Sequence, residues 1–143
     1  MTTLDEMTTY SKREVVATLI NESELVRAAG LPFNHVYDAD AVRDPDDTEF
    51  PFLVVRWADV AEKLNHVDVQ PFDIWVYDKG SDRTQAERIA KAAGDLLAAV
   101  VQVRKVGGWL MQISDEGQGA DLTDENYDAV VVPRRLVAVA SGL

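Results

Sequence analysis

The residues of this chain that could carry acid–base or nucleophilic chemistry are few, and their spacing does not assemble them. Its two histidines, His35 and His66, lie in no H-E-x-x-H run and no ligand-spaced cluster, so both read as surface or loop residues and not as bases. No G-x-S-x-G elbow marks a serine nucleophile. Gly80, Gly107, Gly108, Gly117 and Gly119 form neither G-x-x-x-x-G-K-[ST] nor G-x-G-x-x-G, which leaves a phosphate-cradling loop without support. With no cysteine, disulfides, thiolate zinc sites and a thiol nucleophile are excluded, and a reducing compartment suits the composition. Carboxylates are abundant, and Asp121 with Asp124 could share acid and base roles, but only in a cleft that separates their pKa values. Without such a cleft they read as solvated surface. Asp38-Ala39-Asp40 opens like a calcium loop, yet Val42 stands where a third oxygen ligand is needed and Arg43 replaces the turn glycine. The expectation is therefore a protein with no catalytic residue, no cofactor and no metal.

Charge narrows the classes further. Twenty-five acidic against 14 basic residues give a formal net charge of -11. Such a surface repels phosphate backbones and argues against gripping nucleic acid, while favouring solubility or a surface past which nucleic acid slides without sticking. The first residues carry no basic region followed by an apolar run, and no apolar stretch nears the roughly 20 residues that span a bilayer, so a cleaved leader and a membrane anchor are not expected.

The elements that would position any site follow from pattern. Ser11-Lys12-Arg13-Glu14 has the S-x-x-E form of a capping box and predicts a helix start. Polar Asn21-Glu22-Ser23-Glu24 interrupts the apolar spacing, so that helix bends or is followed by a second short one that stops near Ala29, before Gly30 and Pro32. Residues 38–49 form an acidic surface loop. A strand is predicted from Phe52 to Trp57, with Pro51 tolerable at its start. Val67, Val69, Ile74 and Val76 suit a long strand with a bulge or break at Gln70-Pro71.

The most informative run is residues 72–113: strand, acidic turn, amphipathic helix over 83–101, glycine break at Gly107-Gly108, strand. Ser81 or Asp82 would cap the helix, with Gln85 completing a capping-box variant, and Ala86, Ile89, Ala90, Ala93, Leu96, Leu97, Val100 and Val101 mark its dry face. Residues 114–126 read as a second acidic loop. The last strand candidate, 129–140, is valine-rich with a proline at 133 that implies an edge or a bulge, and an open valine-rich edge invites aggregation. The sum is an α+β fold in one domain over 1–143: an antiparallel or mixed sheet of about four to five strands, covered by a long amphipathic helix plus an N-terminal helix.

The spaced pattern of Phe50-Pro51-Phe52-Leu53-Val54-Val55, of Asp73-Ile74-Trp75-Val76-Tyr77-Asp78 feeding a helix with Arg88-Ile89-Ala90, and of Trp109 followed by the D-L-x-D-x-x-Y stretch Asp121 to Tyr127 resembles the tail terminator proteins of long-tailed (siphovirus) phages, particularly those infecting actinobacteria. The resemblance spans nearly the whole chain, and its motifs are apolar spacing, not a catalytic signature. It implies a ring, typically a hexamer, assembled in the host cytoplasm and placed in the virion at the head-proximal end of the tail. There the ring caps the major tail tube protein, stops tube polymerisation and offers a docking face to the head-tail connector or stopper, while genome DNA passes through the lumen without specific binding. No catalytic residue is carried over.

The expected partner-facing residues lie in the two acidic loops: Asp44, Asp46 and Asp47 in the first, Asp115, Glu116, Asp121 and Asp124 in the second, since long loops in compact domains often carry function. Trp57, Trp75 and Trp109 lie in apolar strands and read as core more readily than as interface anchors. Three further readings stand beside the terminator: a neighbouring head-tail connector or tail completion protein, an acidic DNA mimic that binds a basic enzyme, and an unrecognised hydrolase.

Overall fold

The computed structural model describes residues 11–39, 49–64, 66–80 and 82–142. Two short helices, α1 (Lys12–Asn21) and α2 (Glu24–Ala29), come first. The Ser11 hydroxyl accepts from the Glu14 amide at 3.2 Å, and the Glu14 carboxylate accepts from that hydroxyl at 3.2 Å, so the capping pair closes on itself. Of the two readings left open for 21–24, the structure takes the second: Ser23 caps a new helix by accepting from the Val26 amide at 3.3 Å. Gly30, at φ 125°, ends α2 with a backbone conformation that a side chain would strain.

The sheet has eight strands: β1 (Val36–Asp38), β2 (Phe52–Trp57), β3 (Glu62–Leu64), β4 (Val67–Lys79), β5 (Arg104–Val106), β6 (Trp109–Gln118), β7 (Leu122–Asp124) and β8 (Ala129–Gly142). That exceeds the four to five expected because β1, β3, β5 and β7 have three residues each, too few for any alternation to register. The order is β1-β2-β4-β8-β6-β5, with β3 on β4 and β7 on β8; β1 pairs parallel with β2 and every other pair is antiparallel. The spine is the β4–β8 ladder, continuous from Val67 opposite Ser141 to Lys79 opposite Ala129.

Two sequence expectations fail on this spine. No break interrupts β4 at Gln70-Pro71, and β8 is a central strand instead of an edge, Pro133 included. The reason is the same for both prolines. In an antiparallel strand a residue's N–H and C=O point to the same side. The Pro71 carbonyl accepts from the Ala58 amide at 3.0 Å, in the gap where β4's neighbour changes from β3 to β2. The Pro133 carbonyl accepts from the Gly119 amide at 2.8 Å, where β8's neighbour changes from β7 to β6. Each missing N–H thus points at a junction between flanking strands, and the opposite side of the chain keeps its ladder.

The helix α3 (Thr84–Val100) lies with α1 and α2 on one face of the sheet. Ala86, Ile89, Ala90, Ala93 and Leu97 are fully buried, as their spacing required, against Leu53, Ile74, Val76, Met111, Ile113, Val132 and Leu136. Its 17 residues run about 26 Å. The capping box expected at its start is not formed: Arg83 occupies the cap position without a side-chain bond, and Asp82 accepts from the Thr84 amide at 2.9 Å and hydroxyl at 2.6 Å. Gln85 instead fills the space beside Gly30, tying the first turn of α3 to the end of α2. Gly107 and Gly108, at φ 59° and 86°, supply the two positive φ values of a tight hairpin turn between β5 and β6.

Candidate interface surfaces

Among the described residues the expected partner-facing carboxylates, Asp115, Glu116, Asp121 and Asp124, do not share one surface. Asp44, Asp46 and Asp47 lie outside the described residues. The second acidic loop dissolves into structure: β6 runs to Gln118 and β7 takes Leu122–Asp124, so the loop assigned to 114–126 is a correction. Acidic and glycine residues are poor strand formers, but the long partner β8 imposes pairing, and Gly117 at φ 98° absorbs the bulge between Asp115 and Gly117.

Asp115 therefore points to the helix-covered face together with Met111 and Ile113, not to solvent. The Arg134 guanidinium donates to it from Nε at 2.9 Å and from Nη2 at 2.7 Å, with the two side chains 15% and 14% exposed. The pair sits directly under Gly94 of α3, where a Cβ would come within 2.6 Å of Arg134 Nε and 2.8 Å of Asp115 Oδ2. Glu116 is exposed at the bulge. Asp121 faces Arg83 Nε at 3.7 Å, and Arg83 also donates to the Leu122 and Val131 carbonyls at 2.8 and 3.2 Å. Asp124 accepts from the amides of Asn126 at 3.0 Å and Tyr127 at 3.4 Å. The D-L-x-D-x-x-Y stretch is thus a short strand followed by a carboxylate-held turn that delivers Tyr127 beneath the sheet.

What Tyr127 meets is a second core on the helix-free face, which the sequence reading did not identify. Phe52 is fully buried there, stacked on Tyr77 at 4.6 Å and 9°, with Phe50 at 5.2 Å, Tyr127 at 5.3 Å and Tyr37 edge-on at 5.9 Å. The strict in–out alternation of Phe52-Leu53-Val54-Val55, apolar at every position, was the available signal: a strand apolar on both faces must be covered on both. Further along the same face Arg56 lies over the Trp75 ring at 4.3 Å, and Arg135 forms a two-point ion pair with Asp73. A 330 Å³ hollow beside them is lined by Trp75, Leu122, Pro133 and Arg135. At the far end the face opens: Leu110 and Val103 are 44% and 64% exposed around a 140 Å³ groove that Val67 and Val139 also line.

The tryptophans are packing residues, half-buried in strands, with Trp57 stacked on Phe72 at 4.4 Å. His35 is more constrained than a loop residue: its Nδ1 lies 2.8 Å from the Pro51 carbonyl oxygen and its own carbonyl accepts from Leu53 at 2.8 Å, pinning the approach to β1. His66, at φ 73°, is exposed in the turn before β4. Asp38 closes β1 and lies 3.4 Å from Arg13 Nη1. Two carboxylates at the end of β4 are electrostatically distinct. Partial burial pushes the Asp78 carboxyl above its ordinary range, opposed by the bond from the Lys79 amide and reinforced by nearby Asp82. The Thr84 hydroxyl and amide hold Asp82 below that range. Among the described residues no three His, Cys, Asp or Glu side chains are grouped to hold a metal ion, and no helix is long and apolar enough to cross a membrane.

No protein-family model matches the sequence, and a search of curated proteins gave no match. Among solved structures the chain is similar to one in the "Virion of native gene transfer agent (GTA) particle", with a TM-score of 0.69 at 16% sequence identity, covering 92% of this chain and 96% of the other. Near-complete coverage in both directions means that the helices, the long strands and their order are shared as one fold.

Proposed function

We propose that this chain is a structural virion protein, a tail terminator that forms a ring, six copies in all, on the head-proximal end of a phage tail tube. The observation that carries the reading is the shared fold, over more than nine-tenths of both chains, with a component of a gene transfer agent virion. The sequence resemblance to siphovirus tail terminators points the same way. The surfaces agree with a protein that works by shape. Three of the carboxylates expected to face partners are spent on holding the fold: Asp115 on Arg134, Asp121 on Arg83, Asp124 on its own turn. That weakens the DNA-mimic alternative, which requires free carboxylates spaced like phosphates. Among the described residues it equally leaves the hydrolase alternative without a convergent acid–base pair.

In this role the ring ends tube growth by covering the last layer of tube subunits, and it presents its other side to the connector. Net charge of -11 per copy lets DNA traverse the lumen without being held. Deleting the gene from the particle that encodes it tests the reading. Overlong, headless tails in electron micrographs are the expected result. Normal-length tails that fail only to join heads would move the chain to the connector position, and intact infectious particles would remove it from the virion altogether. Purified protein should also sediment as a ring of about 95 kDa, six times the 15.8 kDa chain, either alone or on tail tubes.

A further inference from the structure

A closed ring built from identical copies needs two different surfaces on each copy that fit one another. From the charge and edge pattern of the sheet we infer that these are its two lateral edges at the end where β4 begins: the β3 edge of one copy docks against the β5 edge of the next. The inference rests on the ring reading and names its contact.

At that end the strands run β3-β4-β8-β6-β5, which places β3 and β5 four strand spacings, about 19 Å, apart on opposite sides of the molecule. Among the described residues β3 pairs only with β4 and β5 only with β6, so each leaves one side of its backbone unpaired. Such edges accept another strand unless something blocks them.

The two edges differ in net charge, the β3 edge negative and the β5 edge positive. The approach to β3 and the strand itself, residues 57–64, carry Asp59 and Glu62 against one cation, Lys63, and Ala58 to Lys63 are all exposed. Around β5, residues 100–113 carry Arg104 and Lys105 and no carboxylate, in a chain whose overall charge is -11. Arg104 is occupied in part, donating to the Val100 carbonyl at the end of α3 at 3.0 Å, but Lys105, Asp59 and Glu62 have no ion-pair partner among the described residues. Each edge also exposes apolar surface: Val60 is 42% exposed beside the acids, while Val103 and Leu110 flank the 140 Å³ groove beside the cations. An apolar knob between two carboxylates on one edge faces, in the next copy, an apolar groove beside two cations. Opposed charges at the rim fix orientation and favour head-to-tail contact over like-with-like pairing, which would bring acid to acid.

Carbodiimide coupling, which joins a lysine to a carboxylate it touches, tests the contact directly. An equal mixture of normal and 15N-labelled protein, assembled alone or on tail tubes, is coupled and digested. The expected product is a mixed-isotope peptide pair joining Lys105 to Asp59 or Glu62, because within one copy these groups are too far apart to couple. In parallel, Lys105→Glu and Glu62→Lys should each weaken assembly at least tenfold by light scattering, and the two together in one chain should restore it. Circular dichroism confirms folding, and Lys105→Gln serves as a milder variant. Assembly that persists in both single variants, or Lys105 coupling only to other proteins or other sites, would overturn the edge contact and leave the ring reading intact. Wild-type protein that stays at 15.8 kDa both in solution and on tubes would fail the ring reading and the contact together.

Discussion

The two faces of this sheet are finished in different ways. The helix-covered face is packed under α1, α2 and α3, and its core is mostly aliphatic or small, with Phe72 and Trp57 stacked at one point and a partly buried ion pair at another. The helix-free face changes character along its length: a sealed aromatic cluster where β4 ends, an arginine–tryptophan zone in the middle, and an exposed apolar groove where β4 begins. The strands are common to both, so the difference comes from what the chain supplies as cover. Segments around Tyr37, Phe50 and Tyr127 cover one end of the second face, and none of the described residues covers the other end.

If the aromatic cluster is a true second core, truncating it should hurt as much as truncating the first. Phe52→Ala is expected to destabilise by about 4 kcal/mol, and Leu97→Ala on the helix side by about 3 kcal/mol, in denaturant titrations. A cost below about 1 kcal/mol for Phe52→Ala would break the comparison and demote the cluster to surface decoration. Next in size is the ion pair. Arg134→Ala leaves Asp115 partly buried without its partner and is expected to cost about 2 kcal/mol, whereas Arg134→Met with Asp115→Leu, which removes both charges and keeps volume, should recover most of the loss.

Gly94→Ala sharpens the same point with a smaller effect. At an ordinary helix position the change would gain about 1 kcal/mol. Here the new Cβ enters the space of the Arg134 and Asp115 head groups, so a net loss of about 1 kcal/mol is expected, and a gain would show that the pair can move aside at little cost.

How much of this was legible in the sequence depended on whether a residue's role was set by its neighbours in the chain or by its neighbours in space. The Ser11 and Gly30 boundaries, the dry face of α3 and the strand Phe52–Trp57 are local patterns and read correctly. The central place of β8 did not, because Pro133 is harmless only when two different strands flank it, and that is a fact of topology. Asp115 was mistaken for a loop carboxylate for the same reason: its partner, Arg134, lies 19 positions later, and nothing local announces an ion pair beneath a glycine. The unfinished end of the helix-free face could have been suspected from Leu110 and Val103 around the glycine turn, had β5 been long enough to show its alternation. The carboxylates proposed as partner-facing were chosen by loop length, and once 114–126 became strand and turn, that criterion no longer distinguished them.

Leu110→Ser and Asp78→Asn give the smallest effects on stability and separate the faces most cleanly. Leu110 is 44% exposed, so its replacement should change stability by less than about 0.5 kcal/mol while reducing assembly measured by light scattering. Asp78 and Asp115 are both carboxylates on the helix-covered side of the sheet, but only Asp115 has a guanidinium. Burial raises the Asp78 pKa in the folded chain above its value of 3.8 in the unfolded one, so the folded state holds its proton more tightly. Folding is then helped by protonation: the contribution is fully present below pH 3.8 and is lost as pH rises through the raised value. Asp78→Asn keeps an oxygen to accept the Lys79 amide, at 2.9 Å in the wild type, and removes the charge. The variant should therefore match the wild type in strong acid, gain on it through the mildly acidic range and stay ahead at neutral pH. A constant difference at all pH values would mean that the substitution acts through packing, and that the end of β4 is as well solvated as an open strand terminus.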